Sequence, residues 1–156
     1  MYNKVIVPLD GSELAECVLP HVEAIAKGCG VHDVIFVSVV EPVHLYRDVE
    51  SSSLSDEQRL LEVLRESMVT ARSYLDQVAS RTRYDGVKVQ SEVLTGKVAD
   101  TIADYATKNE ADLIVIATHG RSGVSHWVYG SVADRILRSS CVPVLMVRAP
   151  GCIPGI

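Results

Sequence analysis

The sequence predicts an α/β fold in which a parallel β-sheet is covered by helices on both faces. Short apolar runs alternate with segments whose apolar residues recur at helical spacing, in the order βαβαβαβαβ. The first of these runs is continuously apolar, as expected of a strand buried on both faces. Turn-forming residues follow the first and fourth runs, and ligands bind past the carboxyl ends of such strands.

The composition indicates one globular domain of 156 residues, with 47% hydrophobic and 22% charged residues. The net charge is −5, from 15 Lys and Arg against 20 Asp and Glu, which argues against sequence-independent binding to nucleic acid. No signal peptide and no apolar run of about 18 residues is recognised, so we expect a cytoplasmic protein without a membrane segment. The four cysteines form no C-x-x-C pair, which favours free thiols.

The first strand is predicted over residues 5–9, with Pro8 near its end. A turn at Asp10-Gly11-Ser12 follows, and Ser12 is a candidate helix cap. Apolar residues then recur at helical spacing up to residue 25. Pro20 should kink or split this helix, and Gly28 and Gly30 should end it.

The second strand is predicted over residues 34–40, followed by a poorly patterned excursion over residues 41–55. This excursion is either a lid or a tolerated surface insertion. A capping box at Ser55 predicts the start of a long helix that ends near Thr82. The further predictions are a strand over 87–93, a helix over 98–109, a strand over 113–116, a helix over 131–139, a strand over 142–147 and a loose tail over 149–156.

The stretch between the fourth strand and the last helix predicts an anion site. It carries Gly120 and Gly130, which allow close backbone approach, and it ends at a helix start with unpaired N–H groups. Phosphate binds at such helix starts, so Ser131 and Val132 are candidate phosphate ligands and Arg121 adds charge. The alternative is an ordinary turn in which the glycines satisfy backbone geometry and Ser131 is only an N-cap.

Two further residues would complete a nucleotide site if strands one and four are neighbours. Asp10 can accept hydrogen bonds from ribose hydroxyls or an adenine amine, or it can simply stabilise its own turn. Val39 can form an apolar wall for a purine, or it can be part of the core. His119 lacks partners for a metal site, Gly96-Lys97 lacks the upstream glycine of a P-loop, and no catalytic triad can be assembled.

Taken together, these stretches resemble the universal stress protein family over residues 2–148, so that residues 1–148 form its domain. The opening KVIVPLDGS, the stretch THGRSG with GSVADR, and the closing VPVLMV are similar to that family's first strand, nucleotide loop and last strand. Members that bind ATP carry G-x-x-G-x9-G-[ST]. Here the last three positions are Gly120, Gly130 and Ser131, and Ala117 replaces the first glycine. Alanine keeps the backbone N–H, but its methyl group can crowd the ligand.

The resemblance implies a Rossmann-like sandwich of the adenine nucleotide alpha hydrolase type with strand order 3-2-1-4-5. It implies binding of ATP, or of AMP or ADP, together with Mg²⁺, and a homodimer formed through the last strand, residues 142–147. The positions that match the family's ligand contacts are Pro8, Asp10, Val39, Ile116, Ala117, Gly120, Arg121, Gly130, Ser131 and Val132.

The function implied by the resemblance is that of a nucleotide-dependent regulatory dimer in a stress response, acting on protein partners that the sequence does not name. No general base or nucleophile is apparent, so we expect any ATP hydrolysis to be slow. Two alternatives stay open. One is an enzyme of phosphoryl or adenylyl transfer, for which Asp10 is the available carboxylate. The other is a dimeric interaction module that has lost its nucleotide, because of Ala117.

Overall fold

The computed structural model describes residues 2–42, 54–118 and 131–149, without the side chains of residues 54–56 and 131. Its strands are β1 (Lys4–Pro8), β2 (Asp33–Val40), β3 (Lys88–Thr95), β4 (Leu113–Ala117) and β5 (Val144–Val147). Its α-helices are α1 (Leu19–Cys29), α2 (Leu54–Arg81), α3 (Val98–Lys108) and α4 (Ser131–Ser139). A short 3-10 helix, Ala15–Val18, precedes α1.

All strand pairs in the sheet are parallel, and the order is β3-β2-β1-β4-β5. The predicted fold class and strand order are therefore confirmed. The chain winds outward from β1 through β2 to β3, and then returns to the other side of β1 to form β4. The winding direction reverses between β1 and β4, which is the place where parallel sheets bind ligands.

Alternation along the strands divides the core into two layers. Val5, Val7 and Phe36 face one side, where they pack with residues of α1 and α2. Ile6 and Ile114 face the other side, where they pack with α3 and α4. Because these side chains are at most 1% exposed, each contributes about 1.5–3 kcal/mol of hydrophobic stabilisation.

Several predicted element boundaries are confirmed and others need correction. Pro20 splits the first helical segment as expected, since it lies in the first turn of α1, directly after the 3-10 helix. Gly28 lies inside α1, so Gly30 alone ends the helix, in a left-handed conformation with φ of 67°. The last strand begins at Val144 rather than Val142. Pro143 has no N–H to offer a strand ladder, although its carbonyl accepts a bond from Ile114 N.

Two predicted segments lie wholly or partly outside the described residues. Of the excursion over 41–55, residues 43–53 fall outside, so the possible lid remains a prediction. Of the predicted tail, residues 150–156 fall outside, whereas Ala149 is described and buried. Within the described ranges, no helix is long and apolar enough to span a bilayer.

Candidate functional site

The carboxyl ends of β1 and β4 are not paired with each other, and the space between them is called the crevice below. The ladder between these strands pairs Val5 with Leu113 and Ile6 with Ile114, and goes no further. Beyond that point β1 continues to pair with β2 as far as Pro8, and β4 continues to pair with β5 as far as Ala117. The two central strands thus separate where their chains leave the sheet. Pro8, Ile116 and Ala117 lie on the strand ends that border this opening.

Asp10 lies in the turn that follows β1 and is exposed. Its Oδ1 accepts hydrogen bonds from the backbone N–H of Ser12 at 2.9 Å and from the Ser12 hydroxyl at 2.6 Å. The Ser12 hydroxyl oxygen in turn accepts a bond from the Ala15 N–H at 3.2 Å, as expected of a helix cap. The turn-stabilising role considered for Asp10 is therefore present, and the same bonds orient its carboxylate in the turn that follows the carboxyl end of β1.

Ala117 directs its methyl group into the core. The residue is 9% exposed and belongs to the layer that contains Val7, Leu9 and Val115, on the side of α1. Its neighbour Ile116 belongs to the opposite layer, as strand alternation requires. The extra methyl group relative to glycine thus fills core space, and the structure gives no sign that it enters the crevice.

Val39 and Val132 lie on the side of the sheet that α3 and α4 cover. Both are half-buried and pack against the layer that contains Ile116 and Ala133. Val39 is paired with Leu94 of β3. The core role considered for Val39 is therefore present, while part of its surface is left accessible near the carboxyl edge.

The helix starts at this edge differ in their ability to take an anion. The N-terminus of α3 follows Lys97, which provides no side-chain cap, and the Val98 N–H donates instead to Glu41 Oε1 at 2.9 Å. This carboxylate already lies at the positive end of the α3 dipole. On the same face of the sheet, α4 begins at Ser131.

An ion pair fixes α4 relative to α3. Arg135 donates from Nε and Nη2 to the two carboxylate oxygens of Asp100, at 3.1 and 3.0 Å. Ala133 and Ile136 are buried beneath the helix. The start of α4 is thereby held on the side of the sheet where Val39 lies.

The candidate residues of the intervening loop lie outside the described residues. These are Gly120, Arg121 and Gly130, together with His119. Ser131 is described only as the first residue of α4, without its side chain. The ligand roles of all four motif positions stay predictions.

Sequence reasoning missed a polar cluster that joins α2 to the segment after β1. Tyr74 donates its hydroxyl hydrogen to Glu16 Oε1 at 3.0 Å, and Arg81 forms an ion pair with Glu16 Oε2. Burial, followed by the charge of Glu16, raises the pKa of Tyr74 far above its ordinary value. No sequence pattern links residues so far apart along the chain. Glu41 was also missed, although the lack of a Ser, Thr, Asp or Asn cap before Val98 was a signal.

Comparison with known proteins yields consistent matches. Residues 1–148 match the universal stress protein family. Universal stress protein MJ0531 of Methanocaldococcus jannaschii is 32% identical over 152 residues, which cover 96% of this chain and 84% of that protein. The solved structure of hypothetical protein MJ0577, from the same organism, has a TM-score of 0.85 and 26% identity, covering 97% of this chain and 99% of that chain.

Two more distant structures share the fold. A universal stress protein in complex with cAMP has a TM-score of 0.62 and 20% identity, covering 95% of this chain and 98% of that chain. The Arabidopsis thaliana family protein At3g01520, with AMP bound, has a TM-score of 0.61 and 14% identity, covering 96% and 93%.

Proposed function

Because this chain belongs to the universal stress protein family, we propose that it binds an adenine nucleotide between the carboxyl ends of β1 and β4. The observation that carries the proposal is the end of the β1–β4 ladder after Ile6 and Ile114, with Asp10 held beside the opening. Bound cAMP and AMP in two structures of the same fold make an adenine nucleotide the first ligand to test.

Each part of the ligand has a chemically suited partner in this proposal. The Asp10 carboxylate accepts hydrogen bonds from the ribose or the adenine amine, while Pro8, Val39 and Ile116 provide apolar surface. The phosphates lie at the start of α4, with the N–H groups of Ser131 and Val132 as donors. Gly120, Arg121 and Gly130 are assigned to the phosphates by the sequence motif alone. ATP, with Mg²⁺ on its phosphates, is the finer proposal.

The choice of α4 rather than α3 for the phosphates rests on Glu41. A phosphate at the N-terminus of α3 would have to displace the carboxylate that accepts from Val98 N, and it would meet a like charge. In the first turn of α4 the acidic residue is Asp134, and its carboxylate is paired with Arg138 at 2.9 Å.

A regulatory role fits this site better than catalysis. Asp10 Oδ1 is engaged by two donors from Ser12, which suits holding a ligand rather than abstracting a proton. We include in the proposal a homodimer formed through β5, an edge strand, and a cytoplasmic location. The described thiols of Cys17, Cys29 and Cys141 are free, which suits a reducing compartment.

The test is a calorimetric titration of the purified chain with ATP and Mg²⁺, repeated with AMP. In the variant Asp10→Asn, the amide oxygen can still accept from Ser12, but the charge is lost, and we expect affinity to fall about tenfold. The matched control is Asp85→Asn, an exposed residue in the turn before β3, at the opposite edge of the sheet. Gly130→Glu should abolish binding if the motif holds the phosphates.

Three results would overturn parts of this proposal. A wild-type chain that binds neither nucleotide would refute the site. Equal losses in Asp10→Asn and Asp85→Asn would remove Asp10 from it. Turnover of ATP well above the uncatalysed rate, abolished by Asp10→Asn, would favour a phosphoryl-transfer enzyme instead.

A further inference from the structure

The turn that carries Asp10 forms one connected unit with the 3-10 helix after it. Asp10 Oδ1 accepts from both the N–H and the hydroxyl of Ser12, and the Ser12 hydroxyl oxygen accepts from the Ala15 N–H. The Ala15 N–H also donates to the Ser12 carbonyl at 3.2 Å. A displacement of the 3-10 helix therefore displaces Ser12, and with Ser12 the donors that orient the Asp10 carboxylate.

Glu16, the second residue of this 3-10 helix, is held by α2. Its two carboxylate oxygens have different partners, since Oε1 accepts from the Tyr74 hydroxyl at 3.0 Å and Oε2 pairs with Arg81. The Glu16 side chain is 20% exposed, so the bridge is partly shielded from water. Tyr74 and Arg81 lie about two turns apart on α2, so they bind the Glu16 carboxylate from two positions along the helix.

The packing of α2 on the sheet does not by itself explain this bridge. Leu75 and Val78 are fully buried, and α2 packs over β2 and β3. Polar contacts from Arg72 to the Ser91 carbonyl and to Glu92 fasten α2 to β3 as well. The Glu16 contacts, by contrast, reach the segment after β1, on the other side of β2. After burial and the effects of Glu16, the negative charge of Asp10 also contributes to the raised pKa of Tyr74.

We propose that Tyr74 and Arg81, acting through Glu16, are positioning residues for the Asp10 carboxylate, and so set affinity for the nucleoside part of the ligand. This inference rests on the proposed nucleotide site. It adds that α2, on the layer opposite the helix start assigned to the phosphates, is part of that site's support. The affinity for a ligand that binds Asp10 therefore depends on the position of α2.

The test compares Tyr74→Phe with Tyr84→Phe in calorimetric titrations with ATP and Mg²⁺. Both variants remove one hydroxyl from a tyrosine of the same core layer: Tyr74 is half-buried, and Tyr84 is buried and donates to the Leu19 carbonyl at 3.4 Å. We expect Tyr74→Phe to weaken ATP binding about three- to tenfold, the worth of one intramolecular hydrogen bond. Tyr84→Phe should leave affinity within about twofold. Glu16→Gln should act like Tyr74→Phe, and it serves as the second variant if the first does not fold.

A double-mutant cycle separates positioning from general stability. In the Asp10→Asn background, Tyr74→Phe should cause less than about a twofold further loss, because the group that it positions is already gone. Hydrogen exchange without ligand provides a second readout. The Ser12 and Ala15 amides should exchange faster in Tyr74→Phe, while those of β1 are unchanged.

The outcomes distinguish this inference from the function on which it rests. A wild-type chain that binds no adenine nucleotide refutes both. If the wild type binds and Tyr74→Phe binds equally well, the inference alone is refuted. It is also refuted if the losses from Asp10→Asn and Tyr74→Phe multiply in the double variant, since the two residues then act independently.

Discussion

Glu41 accepts a hydrogen bond from the backbone N–H of Val98 at 2.9 Å, so that the residue directly after β2 caps the first turn of α3. The carboxylate supplies what the local sequence lacks, because Lys97 at the N-cap position provides no side-chain acceptor. It also carries negative charge to the positive end of the helix dipole. One side chain therefore stabilises α3 and keeps its N-terminus from serving as a phosphate site.

We expect Glu41→Ala to lower the free energy of unfolding by about 1 kcal/mol, the typical worth of an N-cap. Urea denaturation followed by circular dichroism measures this loss. The matched control is Glu66→Ala, an exposed position within α2, which should change stability by less than about 0.5 kcal/mol. Equal stability of Glu41→Ala and the wild type would mean that water replaces the cap without cost.

Local patterns in the sequence predicted much of the fold, because they depend on neighbouring residues. Pro20 predicted the split between the 3-10 helix and α1, and Ser131 predicted the start of α4. The adjacency of β1 and β4 followed from the family resemblance rather than from periodicity. The roles of Glu41 and Glu16 were not predictable, because their partners are 57 to 65 residues away and are brought close only by the sheet order.

Ala117 shows the same limit at a single position. The sequence identified it as a departure from the nucleotide motif, but not the direction of its methyl group. That direction depends on the register of β4, which places Val115 and Ala117 in the α1 layer. Strand alternation predicts the direction of the Ala117 methyl group only when a neighbouring residue of β4 has already been assigned to one of the two core layers.

From this orientation we predict that Ala117→Gly costs stability and gains no affinity. Removing a buried methyl group and adding backbone freedom within a strand should lower the free energy of unfolding by about 1–2 kcal/mol. Affinity for ATP should stay within about twofold, because the methyl group faces the core. Thermal denaturation and calorimetry on the same preparation measure both quantities. A severalfold gain in affinity would show that the methyl group crowds the ligand.

At the amino edge of the sheet, Asp112 should make a pH-dependent contribution to the free energy of unfolding. Its Oδ2 accepts from the backbone N–H groups of Asn3 and Lys4 at 2.8 and 2.9 Å, which ties the start of β1 to the residue before β4. These bonds, that from Lys4 first, lower the pKa of Asp112 below its ordinary value of 3.8. Because the pKa of Asp112 is lower in the folded state than in the unfolded state, its stabilising contribution is fully present above about pH 3.8, the ordinary pKa. The contribution is lost as the pH falls through the lower pKa of the folded state.

We therefore expect Asp112→Asn to reduce stability at neutral pH by at most about 1 kcal/mol, because solvent screens this partly exposed group. The difference from the wild type should shrink as pH falls below about 4, where the wild-type carboxyl also becomes neutral. Urea unfolding at a series of pH values measures this difference in stability. The control is Asp104→Asn, on the exposed face of α3. A difference that stays constant down to pH 2 would exclude the carboxylate's charge as its cause.

The edge strand β5 provides the test of the proposed dimer. The Pro143 and Val147 carbonyls accept bonds from the N–H groups of Ile114 and Thr118, so alternation turns the backbone groups of Val144 and Met146 toward the edge that no described strand pairs with. Leu145, which is 37% exposed, lies between them. An unpaired apolar edge favours pairing with another strand, and a lysine at the edge opposes it. A second copy adding its own β5 would satisfy these groups.

We expect the wild-type chain to sediment as a dimer at micromolar concentration, and Leu145→Lys to raise the dimer dissociation constant at least about tenfold. Analytical ultracentrifugation measures both. Leu61→Lys is the matched control, since Leu61 is 62% exposed on α2, away from β5, and its replacement should leave the mass unchanged. If the wild type sediments as a monomer, or if Leu61→Lys rather than Leu145→Lys dissociates the dimer, the β5 interface is wrong. In the second case, the exposed face of α2 is the surface that joins the two copies.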